Sequence, residues 1–120
     1  MVLALALVSC SKEPLTVSTI QIGRSLNSDN SVATHTTRFQ PKDTMYASVI
    51  TDARGSGTLT AKWMYGGRAV SETSKDVSYN DQAATEFHFS AADGFPPGDY
   101  SVEILLDGKS VGTRTMRVDH

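Results

Sequence analysis

The chain has 120 residues and a formal net charge of −2 at neutral pH, a length that suits one domain with a modest hydrophobic core. Its mild acidity offers no basic face for phosphate groups, so nucleic acid is not an expected partner. The single cysteine, Cys10, lies near the start, which leaves the folded part without disulfides or thiolate metal sites.

The apolar run from Val2 to Val8 ends in Leu7-Val8-Ser9-Cys10. Such a run threads an export channel, the residues at Val8 and Ser9 suit a cleaving peptidase, and the Cys10 thiol can take a diacylglyceryl group. These four residues resemble the cleavage box of a bacterial lipoprotein signal. The resemblance implies that residues 1–9 are a signal segment that is removed. Cys10 would become an acylated, palmitate-bearing N-terminus, and residues 10–14 a tether. No Lys or Arg precedes Cys10, where a signal peptide opens on a basic stretch, so the segment reads as truncated at its start. The competing reading is an ordinary buried thiol at the end of a short apolar strand. The run falls well short of the ~20 apolar residues needed to cross a bilayer as a helix, and no later segment approaches that length. Ser11 after Cys10 implies the outer membrane in a diderm bacterium, and the outer face of the plasma membrane in a monoderm.

From residue 15 onward no segment sustains the i, i+3, i+4 apolar spacing of a packed helix, and strand signals dominate. Leu15 to Ile22 alternates with a phase change, Leu15 and Val17 before it and Ile20 and Ile22 after it, which predicts an edge strand with a bulge near Ser18 and Thr19. Residues 24–37, with Asn27 to Ser31 all polar, read as a mobile loop. Thr44 to Thr51 sets Met45, Ala47 and Val49 on one face and Tyr46, Ser48 and Ile50 on the other. Arg54-Gly55-Ser56-Gly57 reads as a turn. Thr58 to Tyr65 alternates cleanly, with Leu59, Ala61, Trp63 and Tyr65 toward the core. Gly66-Gly67 predicts a tight hairpin into Arg68 to Thr73. Glu86 to Ser90 shares a face among Thr85, Phe87 and Phe89, as Tyr100 to Leu106 does among Tyr100, Val102, Ile104 and Leu106. Both read as central strands. Asp107-Gly108 predicts a type I′ turn, and the last strand, Ser110 to Val118, changes parity between Val111 and the pair Met116 and Val118, which predicts a bulge near Gly112.

Trp63 sits in the middle of its strand, and Pro96-Pro97-Gly98-Asp99-Tyr100 feeds a turn directly into a strand that begins on an aromatic ring. With the closing pattern Gly98, Tyr100, Val102, Ile104, Asp107-Gly108 and Val111, residues 15–118 resemble the immunoglobulin-like β-sandwich domains carried by bacterial cell-envelope lipoproteins. The resemblance implies an all-β, antiparallel, immunoglobulin-like sandwich of about seven strands over residues 15–120, a buried tryptophan on the third strand, and a tyrosine corner at Tyr100. Antibody domains carry an inter-sheet cysteine pair near the positions of Ala47 and Val102, so its absence implies no antibody-like role. The fold does not choose a function.

No catalytic constellation stands out. His35, His88 and His120 lie on a loop, a strand and the last residue, without the spacing of a metal or general-base site. Gly55-Ser56-Gly57 lacks the strand-to-helix context of a nucleophile elbow and the lysine of a phosphate loop. Met45, Met64 and Met116 have no neighbouring His or Met that would favour copper. Asp93 and Asp99 flank a turn but lack the spacing of a calcium loop. No cofactor, metal or enzymatic activity is expected, and no ligand-binding residue is assigned.

Between Asp76 and Asp107 stand seven acidic residues and no Lys or Arg, whereas Arg38 to Lys75 carries six basic and three acidic residues. The pattern allows a two-sided charge distribution, although interleaved strands would mix the two sets. The reading is a membrane-anchored, non-enzymatic envelope lipoprotein that binds another envelope protein or serves a structural role. The alternative is a carbohydrate-binding module that uses Tyr46, Tyr65, Tyr79 and Phe95 as exposed flat faces.

Overall fold

Period-two burial organises the chain in the computed structural model, which describes residues 13–119. β1 (Thr16–Gly23), β3 (Met45–Asp52) and β6 (Ala83–Phe89) form an antiparallel sheet in the order β1-β3-β6. The second sheet holds β4 (Gly55–Tyr65), β5 (Arg68–Tyr79), β7 (Gly98–Leu106) and β8 (Lys109–Val118), with the two-residue β2 (Arg38–Phe39) running parallel to the end of β8. Its order is β2-β8-β7-β4-β5.

The core lies between the sheets. Met45, Ala47 and Val49 of β3 are fully buried, as are Leu59, Ala61 and Trp63 of β4 and Val102 and Ile104 of β7. Each large apolar side chain removed from water contributes about 1.5–3 kcal/mol, which is what holds two sheets together without a disulfide. Ala47 and Val102 are buried in β3 and β7, so small and medium apolar groups stand near the positions where antibody domains carry their cysteine pair.

Turn and bulge chemistry follow the sequence closely. Gly66 and Gly67 have φ of 58° and 83°, and Asp107 and Gly108 have φ of 51° and 87°, which are two-residue turns with both central residues left-handed. The β1–β3 register shifts between Val17 and Thr19, where the apolar alternation changes phase. In β8, Gly112 opposes Ile104 and Ser110 opposes Leu105, so Val111 is the extra residue of a bulge. The bulge leaves Val111 39% exposed while Met116 and Val118 face the core.

Several elements differ from the sequence reading. Gly55-Ser56-Gly57 is not a turn but the first part of β4; the chain reverses one step earlier, at Ala53, which takes φ of 55°. β5 continues to Tyr79 rather than stopping at Thr73: it pairs with β4 along its whole length, but its inward residues Ser71, Thr73 and Lys75 are polar, so apolar alternation begins only at Val77 and Tyr79, which pack against the core. β7 is central, but β6 is an edge strand beside β3. Phe39, unassigned in the sequence, is buried through β2.

Residues 24–37 are not a loose loop. Backbone hydrogen bonds from Arg24 to Thr34 and from Ala33 to Ser25 fold the segment into a small hairpin. It lies over the outer face of the three-stranded sheet: the Ser48 hydroxyl donates to the Asn30 carbonyl at 2.8 Å, and the Val32 amide donates to Gln21 Oε1 at 2.9 Å. Val32 is buried against Gly23, where any Cβ would fall 2.3 Å from Val32 Cγ1 and 2.1 Å from the Thr34 carbonyl oxygen.

Candidate functional site

Cys10, the residue read as the lipid-attachment site, lies outside the described residues. The chain that follows it enters the sandwich at one end. Ser56 donates its amide to the Glu13 carbonyl at 2.8 Å, Pro14 forms a bridge with Ser56, and Leu15 is buried. Gly55 has no side chain where a Cβ would stand 2.8 Å from the Pro14 oxygen, so this glycine lets the incoming segment pass close to β4.

From Ser56 to Tyr65, β4 carries the architecture about 30 Å to the opposite end, at ~3.3 Å per residue. A run of aromatic rings leads there from the core: Trp63 lies 5.6 Å from Phe89, Phe89 5.3 Å from Phe95, Phe95 5.5 Å from Tyr100, and Tyr100 4.5 Å from Tyr65. The Tyr100 hydroxyl donates to the Pro96 carbonyl at 2.6 Å, which is the geometry of a tyrosine corner. Burial raises the Tyr100 pKa above its ordinary value, and the neighbouring Tyr65 adds to the rise.

Beside this corner is an open groove of about 600 Å³. Met64 is half-buried in it, Gly66 and Gly67 border it, and Arg38 and Arg117 line it from β2 and β8. The two arginines are cross-strand neighbours, and each holds a carboxylate: Arg38 Nη2 lies 3.0 Å from Asp119 Oδ1, and Arg117 Nη1 lies 2.7 Å from Asp99 Oδ1. Sequence reasoning missed this pair, because 79 residues separate its members and only the parallel β2–β8 pairing brings them together. The signal available was the outward parity of Arg117 between Met116 and Val118.

The candidates singled out in the sequence do not converge. His35 bridges to Gly23, whereas His88 on β6 places Nδ1 3.0 Å from Glu86 Oε1; His120 lies outside the described residues. Among the described residues, no group of three or more His, Cys, Asp or Glu side chains is placed to hold a metal ion. Met45 and Met116 are core residues. Asp99 pairs with Arg117, and Asp93 is exposed on the preceding turn.

The four aromatic residues considered for sugar stacking do not form a platform. Phe95 is buried, and Tyr65 stacks on Tyr100 with its hydroxyl donating to the Pro97 carbonyl. Tyr46 leans on His88 on the outer face of the three-stranded sheet, while the Tyr79 hydroxyl shares a hydrogen bond with Thr85 at 2.7 Å between β5 and β6. The last contact joins the edges of the two sheets. Lys75 joins them too, reaching from β5 to the carboxylate and carbonyl of Glu86 with its ammonium 5.0 Å from the Phe87 ring centre. Burial by itself would raise the Glu86 pKa, but hydrogen bonds and charge from His88 and Lys75 outweigh it and hold the carboxyl below its ordinary value.

The acidic and basic stretches of the sequence are mixed by the sheets. Lys62 stands in register with both Glu72 and Glu103, Lys75 pairs with Glu86, and Arg117 pairs with Asp99. The cause is topological, since β4 is flanked by β5 on one side and β7 on the other.

No protein-family model matches the chain, and no curated protein matches it in sequence. Solved structures do match in shape. An immunoglobulin-like protein from Pseudomonas aeruginosa superposes with a TM-score of 0.62 at 12% identity, covering 91% of this chain and 99% of that one. The fold is an immunoglobulin-like β-sandwich. The same sandwich matches part of a cycloisomaltooligosaccharide glucanotransferase from a Paenibacillus species, solved with cycloisomaltoheptaose, with a TM-score of 0.59 at 14% identity over 87% of this chain and 14% of that one. It also matches part of an alkylpurine DNA glycosylase from Pseudomonas fluorescens, bound to DNA with an abasic-site analogue, with a TM-score of 0.50 at 12% identity over 84% of this chain and 30% of that one. The chain thus spans a small part of each of these two enzymes, and at such identities the likeness concerns the fold alone.

Proposed function

We propose that the chain is a membrane-tethered, non-enzymatic module of a bacterial cell envelope, held by an acylated Cys10 and binding another envelope protein through its sandwich. The observation that carries the reading is the polarity of the molecule. The Leu7-Val8-Ser9-Cys10 box leads into a segment bound to β4 at Ser56, and the groove lined by Arg38 and Arg117 lies at the other end of the same strand. A tether at one end leaves the far end clear of the lipid surface and accessible to a partner. In a diderm bacterium the sorting signal after Cys10 directs the module to the outer membrane.

The rival reading as a carbohydrate-binding module lacks the flat aromatic surface it calls for, because Phe95 is buried and Tyr65 is engaged by Tyr100. No acid, base and nucleophile stand together among the candidates considered, which favours binding over catalysis.

The tether is tested by expressing the full chain in a bacterial host with an alkyne-tagged fatty acid. The expected result is label on the wild type, none on Cys10→Ala, and build-up of unprocessed precursor under globomycin. An unlabelled wild-type chain, with no precursor build-up under globomycin, contradicts the reading.

A further inference from the structure

Two guanidinium groups side by side repel unless anions sit on them, and the sandwich fills that need from its own chain. Arg38 grips Asp119 through Nε at 3.4 Å and Nη2 at 3.0 Å, a side-on arrangement that uses both carboxylate oxygens. Arg117 has a single contact, Nη1 to Asp99 Oδ1 at 2.7 Å. The Asp99 side chain is 83% exposed, and so open an ion pair is weak and easily exchanged.

We propose that this groove binds an acidic peptide segment of a partner protein, one of whose carboxylates replaces Asp99 on Arg117. The inference deepens the reading of the chain as a tethered protein-binding module, since it names the surface and the chemistry of the partner. Carboxylate is the favoured anion because carboxylates already sit on both guanidiniums, and Arg38 with Asp119 shows the planar fork-to-carboxylate fit. A volume of about 600 Å³ is also far larger than one carboxylate needs.

The remaining walls suit a polypeptide. A Cβ built on Gly66 or Gly67 meets nothing within 4 Å, so that side stays open to a long ligand. Met64 supplies a partly buried apolar surface, and the hydroxyls of Ser101 and Thr115 on neighbouring strands offer hydrogen bonds to a peptide backbone. Recognition of acidic segments by paired arginines, with an internal carboxylate holding the site until the ligand arrives, uses charge exchange rather than new burial.

The test is a titration of the isotope-labelled full chain with the synthetic peptide acetyl-Gly-Glu-Gly-Glu-Gly-amide, followed by amide chemical shifts, with the lysine counterpart as control. Shifts are expected at Arg38, Gly66, Gly67, Ser101 and Arg117 with the acidic peptide only. Asp99→Asn frees Arg117 and tightens binding about two- to fivefold, the reverse of what a merely local acidic residue does. Arg117→Gln weakens it about two- to fivefold. Unchanged affinity in Asp99→Asn, shifts on another face, or an equal response to the lysine peptide overturns the proposal. So does sedimentation that shows a dimer abolished by Arg117→Gln, which would make a second copy the occupant. Acylation of Cys10 is scored separately, so an acylated chain that ignores the acidic peptide refutes this inference and leaves the tether intact.

Discussion

Tyr65 lies face to face with Tyr100, ring centres 4.5 Å apart, and the two hydroxyls donate to consecutive prolines: Tyr100 to the Pro96 carbonyl and Tyr65 to the Pro97 carbonyl. Both rings come from the same end of neighbouring strands, since Tyr65 of β4 is in register with Tyr100 of β7. Gly98 makes room for the arrangement. It takes φ of 138°, and a Cβ there would stand 3.1 Å from the Tyr65 ring. The Pro96-Pro97 turn is therefore fastened twice, beside the groove that borders Tyr100.

Tyr100→Phe removes one of these fastenings and leaves the Pro96 carbonyl without its donor, which costs about 1–2 kcal/mol in a urea unfolding experiment. The elevated Tyr100 pKa adds a signature in alkali. A phenol held neutral by burial stabilises the fold fully below its unfolded pKa and ceases to do so as pH rises beyond it, so stability falls above pH 10. The variant should show a shallower fall. Equal slopes for wild type and variant between neutral and alkaline pH would refute the assignment.

Glu86 gives the opposite sign. Its carboxyl titrates below the ordinary 4.5 because His88 and Lys75 favour its charged form, so its contribution is complete above that value and is lost as pH falls through the folded pKa. Glu86→Gln should cost about 0.5–1.5 kcal/mol at neutral pH, and much less at a pH where the carboxylate is protonated in both states. Unfolding midpoints of the two proteins at neutral and acidic pH measure this directly, and a pH-independent difference excludes the ionic role.

The small hairpin of residues 24–37 depends on Gly23. Gly23→Ala places a methyl group against the Thr34 carbonyl and Val32, and relief requires the hairpin to move off the sheet, at a cost of about 1–3 kcal/mol. Hydrogen exchange should accelerate at the Val32 amide, which Gln21 now holds, and should change little at the Val102 amide in the central strand. Unaltered protection at Val32 contradicts the proposed packing.

Local rules made most of the sandwich legible. Alternation from Leu59 to Trp63 marks an inward face in any sheet that covers one side, and Asp107-Gly108 and Gly66-Gly67 specify their turns by backbone sterics alone. The Tyr100 corner was legible through the resemblance of Pro96-Pro97-Gly98-Asp99-Tyr100 to that motif, whose acceptor stands only four residues away. What escaped depends on distant partners. Nothing local distinguishes β6 as an edge strand, and Phe89 alternates like a central residue because the core covers it from one side. Gly55-Ser56-Gly57 looks like a turn until the segment carrying Glu13 and Pro14 is laid against it. The Asn27–Ser31 stretch is polar enough for a loose loop, yet its polar groups bond to one another and to Ser48. Arg38 and Arg117 become a pair only when β2 docks on β8.

The most direct test of the tethered-module account is the intact mass of the mature protein extracted from bacterial membranes. The account predicts a chain that begins at Cys10 and carries a diacylglyceryl group on its sulfur. A membrane-extracted chain that retains residues 1–9 and a free Cys10 thiol would contradict it.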